Sequence, residues 1–172
     1  MKKMFWVLFL SINLYGQDLP RAFTDNALIP RWVKKEFVSR RLYRDYSITF
    51  QMSPSFIRGD FNGDKRRDCA FLIQEKSSQK LGIAIFHTTP PQALHTQVVY
   101  IIGAGKSIAD FGDNIRWANF WRTYPRNEAS GDIERRVLVP ILKADAIHLE
   151  KRGKKRGLLF WNGRKYVWHQ LK

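Results

Sequence analysis

Cys69 is the only cysteine among the 172 residues, so no disulfide can form within the chain. A lone thiol that opens an apolar run reads as a buried, inert side chain in a strand, pairing with another molecule being the alternative. Acid is scarce as well: 15 Asp and Glu face 30 Lys and Arg, a formal charge of +15. Beyond the N-terminal run no apolar stretch approaches the ~18 residues that cross a bilayer. The four histidines, His87, His95, His148 and His169, lie far apart without the paired spacing of metal ligands, and three of them sit in strand-like runs as structural side chains. No serine has the context of a nucleophile elbow, and "GAGKS" at 103–107 has Tyr100 where a phosphate-binding loop needs glycine. Together these absences leave a disulfide scaffold, an NTPase and a hydrolase of envelope polymers without supporting residues. No catalytic residue can be named, and the chain reads as a protein that is not an enzyme.

What is present begins with "MKKMFWVLFLSINLYGQ", in which two lysines precede a short apolar run and a polar break at Tyr15, Gly16 and Gln17. That is the pattern of a signal peptide over residues 1–17, an uncleaved membrane anchor being the alternative. Export to the periplasm or beyond follows as an expectation, with residues 18–172 forming one domain. Losing Lys2 and Lys3 and no acid lowers the charge from +15 to +13.

"IPRWVKKEFVSRRLYR" sets Trp32, Val33 and Phe37 at helical spacing behind Pro30, which predicts one amphipathic helix over residues 30–42. Strand-like runs follow: "YSITFQ", "CAFLIQ", "LGIAIFH", "QVVYII", "RVLVPIL", "AIHLE", "GLLFW" and "YVWHQL". Asn162-Gly163 marks a tight hairpin between the last two. Parallel sheets need long helical crossovers, which are missing, so the fold class is α+β: a mainly antiparallel sheet of about eight strands with one N-terminal helix. Residues 104–130 read as irregular, their aromatics Phe111, Trp117, Phe120, Trp121 and Tyr124 covering the sheet as core or lining a groove.

The chemistry concentrates in "FIRGDFNGDKRRDCAFLI", residues 56–73. Counting from Asp60, oxygen donors stand at positions 1 (Asp60), 3 (Asn62), 5 (Asp64) and 9 (Asp68), and the Arg66 carbonyl adds one at 7; calcium takes six to eight such hard oxygens. Lys65 at position 6 and Phe71 at position 12 exclude an EF-hand. The spacing resembles the calcium loop of FG-GAP and VCBS-type repeats, roughly GDFNGDGxxDhA, which Gly59, Asp60, Phe61, Asn62, Gly63, Asp64, Asp68 and Ala70 match. The resemblance implies Asp60, Asn62, Asp64 and Asp68 as side-chain ligands of Ca2+, in a loop that turns between two strands. Lys65 replaces the glycine usual in that family. More broadly, the layout is similar to that of uncharacterised exported bacterial proteins. No second copy of the loop is found, so a full propeller is not expected.

Arg58, Lys65, Arg66 and Arg67 surround the loop, and each repels calcium by about 1 kcal/mol at ~8 Å before salt screening. A weak, structural site of about 10⁻⁴ to 10⁻³ M is expected, against the alternative of a metal-free turn in which these cations pair with the aspartates. The tripeptide Arg58-Gly59-Asp60 spells an adhesion motif, but its acid is the first calcium ligand.

Two cationic clusters stand elsewhere: Lys34, Lys35, Arg40 and Arg41 on the helix, and Lys151, Arg152, Lys154, Lys155 and Arg156 in a hairpin turn. With Trp161, Tyr166 and Trp168 on the adjoining strands, the second could grip an anionic glycan, an envelope surface or nucleic acid; a solvated turn is the plain alternative. The leading expectation is thus an exported, non-catalytic binding or structural protein with a calcium loop and a basic face. The second is an inhibitor or accessory protein docking on another envelope protein through its Trp-rich region.

Overall fold

A strand sends alternate side chains to opposite faces, so a run that is apolar at every position must be covered on both. "CAFLI" and "LGIAIF" are such runs, and in the computed structural model they are the two central strands of a sheet lying between a helix and a second sheet. The structure describes residues 26–89, 98–128 and 139–171. The expected signal peptide lies outside the described residues, as does His95. Among those described, no helix is long and apolar enough to cross a membrane.

The chain order is α1 (Arg31–Ser39), a 3₁₀ turn (Leu42–Arg44), β1 (Tyr46–Ile48), β2 (Phe56–Gly59), β3 (Asp68–Glu75), β4 (Leu81–Phe86), β5 (Val99–Gly103), β6 (Phe120–Tyr124), β7 (Ala146–Lys151), β8 (Lys155–Trp161) and β9 (Tyr166–Gln170). Every pairing is antiparallel. The first sheet runs β1-β3-β4-β5, with β2 also on β3; the second runs β6-β7-β8-β9. The expected class therefore holds: one compact, mainly antiparallel domain with few helices, its nine described strands split between two sheets that close no barrel.

Between the sheets, Ala70, Leu72, Ile83, Ile85 and Ile102 of the first meet Trp121, Ile147, Leu149, Leu159 and Trp168 of the second. On the other face of the first sheet, Phe71, Ile73, Ala84 and Phe86 are roofed by Ile29, Val33 and Phe37. Trp121 is fully buried at the inter-sheet face, and its indole N–H donates to the Pro54 carbonyl at 2.7 Å.

The differences from expectation have local causes. The helix ends at Ser39 instead of residue 42, because Arg41 turns left-handed (φ 56°) to aim the chain into β1. "YSITFQ" yields only a three-residue strand, since β1 takes the Ile73–Glu75 end of β3 and β2 takes the Asp68–Phe71 end. The segment 104–130 contains an unforeseen strand, β6, with Trp121 facing inward. Of "RVLVPIL", residues 136–138 lie outside the described residues and 139–142 form no strand.

Candidate functional site

β2 and β3 are antiparallel neighbours with Gly59 opposite Asp68, so the eight residues between them must fold into a tight loop at the corner of the first sheet. The Asx side chains shape that loop by accepting backbone amides. Asp60 accepts from Gly63 (2.7 Å) and Lys65 (2.9 Å), Asn62 from Asp64 (3.0 Å), and Asp64 from Arg66 (2.8 Å). Lys65 sits at φ 66°, where a side chain costs about 1–2 kcal/mol and glycine nothing. That explains locally why the resembled motif carries glycine there. With its carboxylate folded into these turns, Asp60 is not displayed as an adhesion tripeptide requires.

Asp68 behaves differently. It faces inward, fully buried, and accepts the amides of Phe61 (3.0 Å) and Thr88 (2.8 Å). Burial, aided by the charges of Asp64 and Asp60, outweighs those two amides and pushes its acid up to about 7. Beside it, Tyr166 lays its hydroxyl 2.7 Å from His87 Nε2 and 3.3 Å from the Phe61 carbonyl. With the proton on His87 Nε2, the imidazole donates to the hydroxyl and the hydroxyl donates onward to the carbonyl. Burial lowers His87 to about 4, so it is neutral at pH 7, and burial raises Tyr166 above the ordinary phenol range.

The loop is also tied to the second sheet. Asp145, one residue before β7, accepts the amide of Asp60 (2.9 Å) and that of Arg126 (3.0 Å), while its own amide donates to the Asp60 carbonyl (2.8 Å). Gly59 allows this approach, because a Cβ there would lie 2.8 Å from the Phe61 ring and 3.1 Å from an Asp145 carboxylate oxygen.

In kind, the donors fit calcium: three carboxylates, one amide oxygen and a peptide carbonyl, all hard. In arrangement, among the described residues no three His, Cys, Asp or Glu side chains are grouped to hold a metal. An ion would share the oxygens of Asp60, Asn62 and Asp64 with the amides they now accept, each oxygen having a second lone pair. The rival picture of an ion-paired turn is not what forms. The ion pairs among the described residues are Arg40–Glu36, Lys80–Asp113 and Arg122–Glu128, and none involves the loop. Lys65, Arg66 and Arg67 are exposed, and the carboxylates face amides.

The two cationic clusters lie on different layers. Lys34, Lys35, Arg40 and Arg41 belong to α1 and its end, on the far face of the first sheet, and Arg40 is paired with Glu36 at 3.1 Å. Lys151, Arg152, Lys154, Lys155 and Arg156 form the β7–β8 turn of the second sheet. Trp161 stands at the opposite end of β8, six residues or about 20 Å from Lys155. There it packs on His87, Tyr100 and Tyr166 and is no part of the basic turn. The aromatics beside the turn are Trp117 and Trp168, whose ring centres lie 4.5 and 5.7 Å from the Lys155 ammonium. Of the segment read as core or groove, Phe111, Trp121 and Tyr124 are core, Trp117 is half-buried and Phe120 is 41% exposed.

Sequence reasoning missed Asp145, Thr88 and the contact of Tyr166 with the loop. The one local hint was the acid directly ahead of the strand "AIHLE". Comparison with protein-family models, curated proteins and solved structures finds no match for this chain.

Proposed function

We propose that the chain is an exported, non-catalytic binding protein. Its loop at 60–68 takes one calcium ion as a structural brace, held by Asp60, Asn62, Asp64, Asp68 and the Arg66 carbonyl. Its β7–β8 turn grips an anionic polymer or surface of the cell envelope. The observation that carries this reading is the turn itself: five cations within six residues, with Glu150 the nearest acid in sequence. Lys151, Arg152, Lys154 and Lys155 enter no ion pair among the described residues. Two grooves flank the turn, one of about 230 Å³ lined by Lys151, Lys154, Lys155 and Arg156 together with Glu150, the other of about 400 Å³ lined by Asn119, Phe120, Glu150 and Arg152. An excess of positive charge beside a groove attracts polyanions with a strength that falls as salt rises.

The test is retention on immobilised heparin across a salt gradient. Lys151→Gln, Arg152→Gln and Lys154→Gln combined should elute at clearly lower salt than the parent, while Lys34→Gln with Lys35→Gln should change elution less. Equal elution of the parent and the turn variant removes this assignment. Exposed Phe120 at the second groove favours an alternative, docking on a single envelope protein. That alternative predicts saturable binding that salt leaves unchanged and Phe120→Ala abolishes.

A further inference from the structure

A second concentration of positive charge lies away from the basic turn. Arg58 is opposite Cys69 in the β2–β3 ladder, so both side chains stand on the helix-covered face of the first sheet. Arg67 ends the loop beside them, and the start of α1 brings Pro30 and Trp32 across. These five residues enclose a cleft of about 200 Å³. The Arg58 guanidinium lies 5.0 Å over the Phe56 ring, on the side of the sheet where Cys69 stands opposite it. Neither Arg58 nor Arg67 enters an ion pair among the described residues. The carboxylates nearest in sequence turn to backbone amides, Asp60 to those of Gly63 and Lys65 and Asp68 to those of Phe61 and Thr88. The first turn of α1 adds no acid.

Two guanidinium groups with no acid among the residues lining their cleft form a doubly positive recess, and their forks match the oxygens of a tetrahedral dianion. We propose that this cleft binds a phosphate group, as the free dianion or as a monoester whose carrier lies against the indole of Trp32. A phosphate dianion balances both charges and offers oxygens to each fork; a carboxylate balances one. The proposal requires neither calcium in the loop nor the β7–β8 turn.

The experiment follows melting temperature against inorganic phosphate, and separately against glucose 1-phosphate, at constant ionic strength set with chloride and with EDTA in excess. A saturable rise is expected. Arg67→Gln should weaken the apparent affinity about tenfold, the loss of one charge-assisted contact. Arg58→Lys, which keeps the charge and removes the fork, should weaken it less, and Arg164→Gln, at an exposed cation of the β8–β9 turn, should leave it unchanged. Tighter binding of glucose 1-phosphate assigns the cleft to esters, and equal binding assigns it to the free ion. A rise that never saturates, or one that Arg67→Gln leaves intact, overturns the proposal. Because EDTA is present and neither Arg58 nor Arg67 belongs to the β7–β8 turn, that failure would not touch the reading of the loop or of the turn.

Discussion

Asp68 and His87, which bracket the corner of the first sheet, titrate in opposite senses over nearly the same range, and their effects on stability should cancel. For Asp68 the folded acid is near 7 against an ordinary 3.8, so the folded state holds a proton that the unfolded chain gives up. Its contribution is fully present below 3.8 and is lost as pH rises through 7. At about 1.4 kcal/mol per pH unit, the three units between amount to roughly 4 kcal/mol as a ceiling. For His87 the folded value is near 4 against 6.5, so its contribution is present above 6.5 and is lost as pH falls toward 4, roughly 3 kcal/mol over the interval. Between pH 4 and 6.5 the slopes oppose one another, and the parent should show a nearly flat contribution from this pair. Urea unfolding at half-unit steps from pH 4 to 8, in EDTA to keep metal out, exposes the two halves. Relative to the parent, Asp68→Asn should lose up to about 4 kcal/mol on going from pH 7 to 4, whereas His87→Gln should gain about 3. Difference profiles that are flat, or that share one sign, would refute the reasoning.

Other predictions concern the loop. Calcium at about ten times its dissociation constant should add about 1.4 kcal/mol, raising the melting temperature by roughly 3–5 °C, and Asp64→Ala should erase the response. Lys65→Gly removes both a left-handed side chain and a repelling charge, so calcium affinity measured by calorimetry should rise several-fold with no loss of metal-free stability. Asp145→Ala strands the amides of Asp60 and Arg126 and should cost about 1–3 kcal/mol in chemical unfolding, with part of the calcium response lost because the loop is no longer anchored.

How far the sequence discloses all this follows the range of the forces involved. The β8–β9 hairpin is legible because its cause is local: Asn162 caps the amides of Arg164 and Lys165 across the turn. The loop is legible for the same reason, its spacing being fixed by side chains that fold back onto amides two to five residues on. Trp161 shows the opposite case. Its run predicted a strand correctly, yet six residues of extended chain set it about 20 Å from Lys155; of the aromatics expected at the turn Trp168 stands there, joined by Trp117, which no local pattern announces. Thr88, Asp145 and Tyr166 meet the loop from 20, 85 and 105 residues away, and no pattern within a short window encodes such partners. β6 was hidden because "FWRTY" is short and sits among turns, and its place is decided by Trp121 filling the space between the sheets.

The clasp between Asp60 and Asp145 also bears on the order in which the molecule assembles. Contacts distant in sequence form only after the intervening chain has paid its loop-closure entropy. The first sheet, α1 and the turns within the loop can all form from residues up to Gly103, but the clasp waits until β7 has been placed. The loop is therefore finished by the second half of the chain. An ion held there would arrive as a late lock on a nearly complete molecule and would not seed its folding.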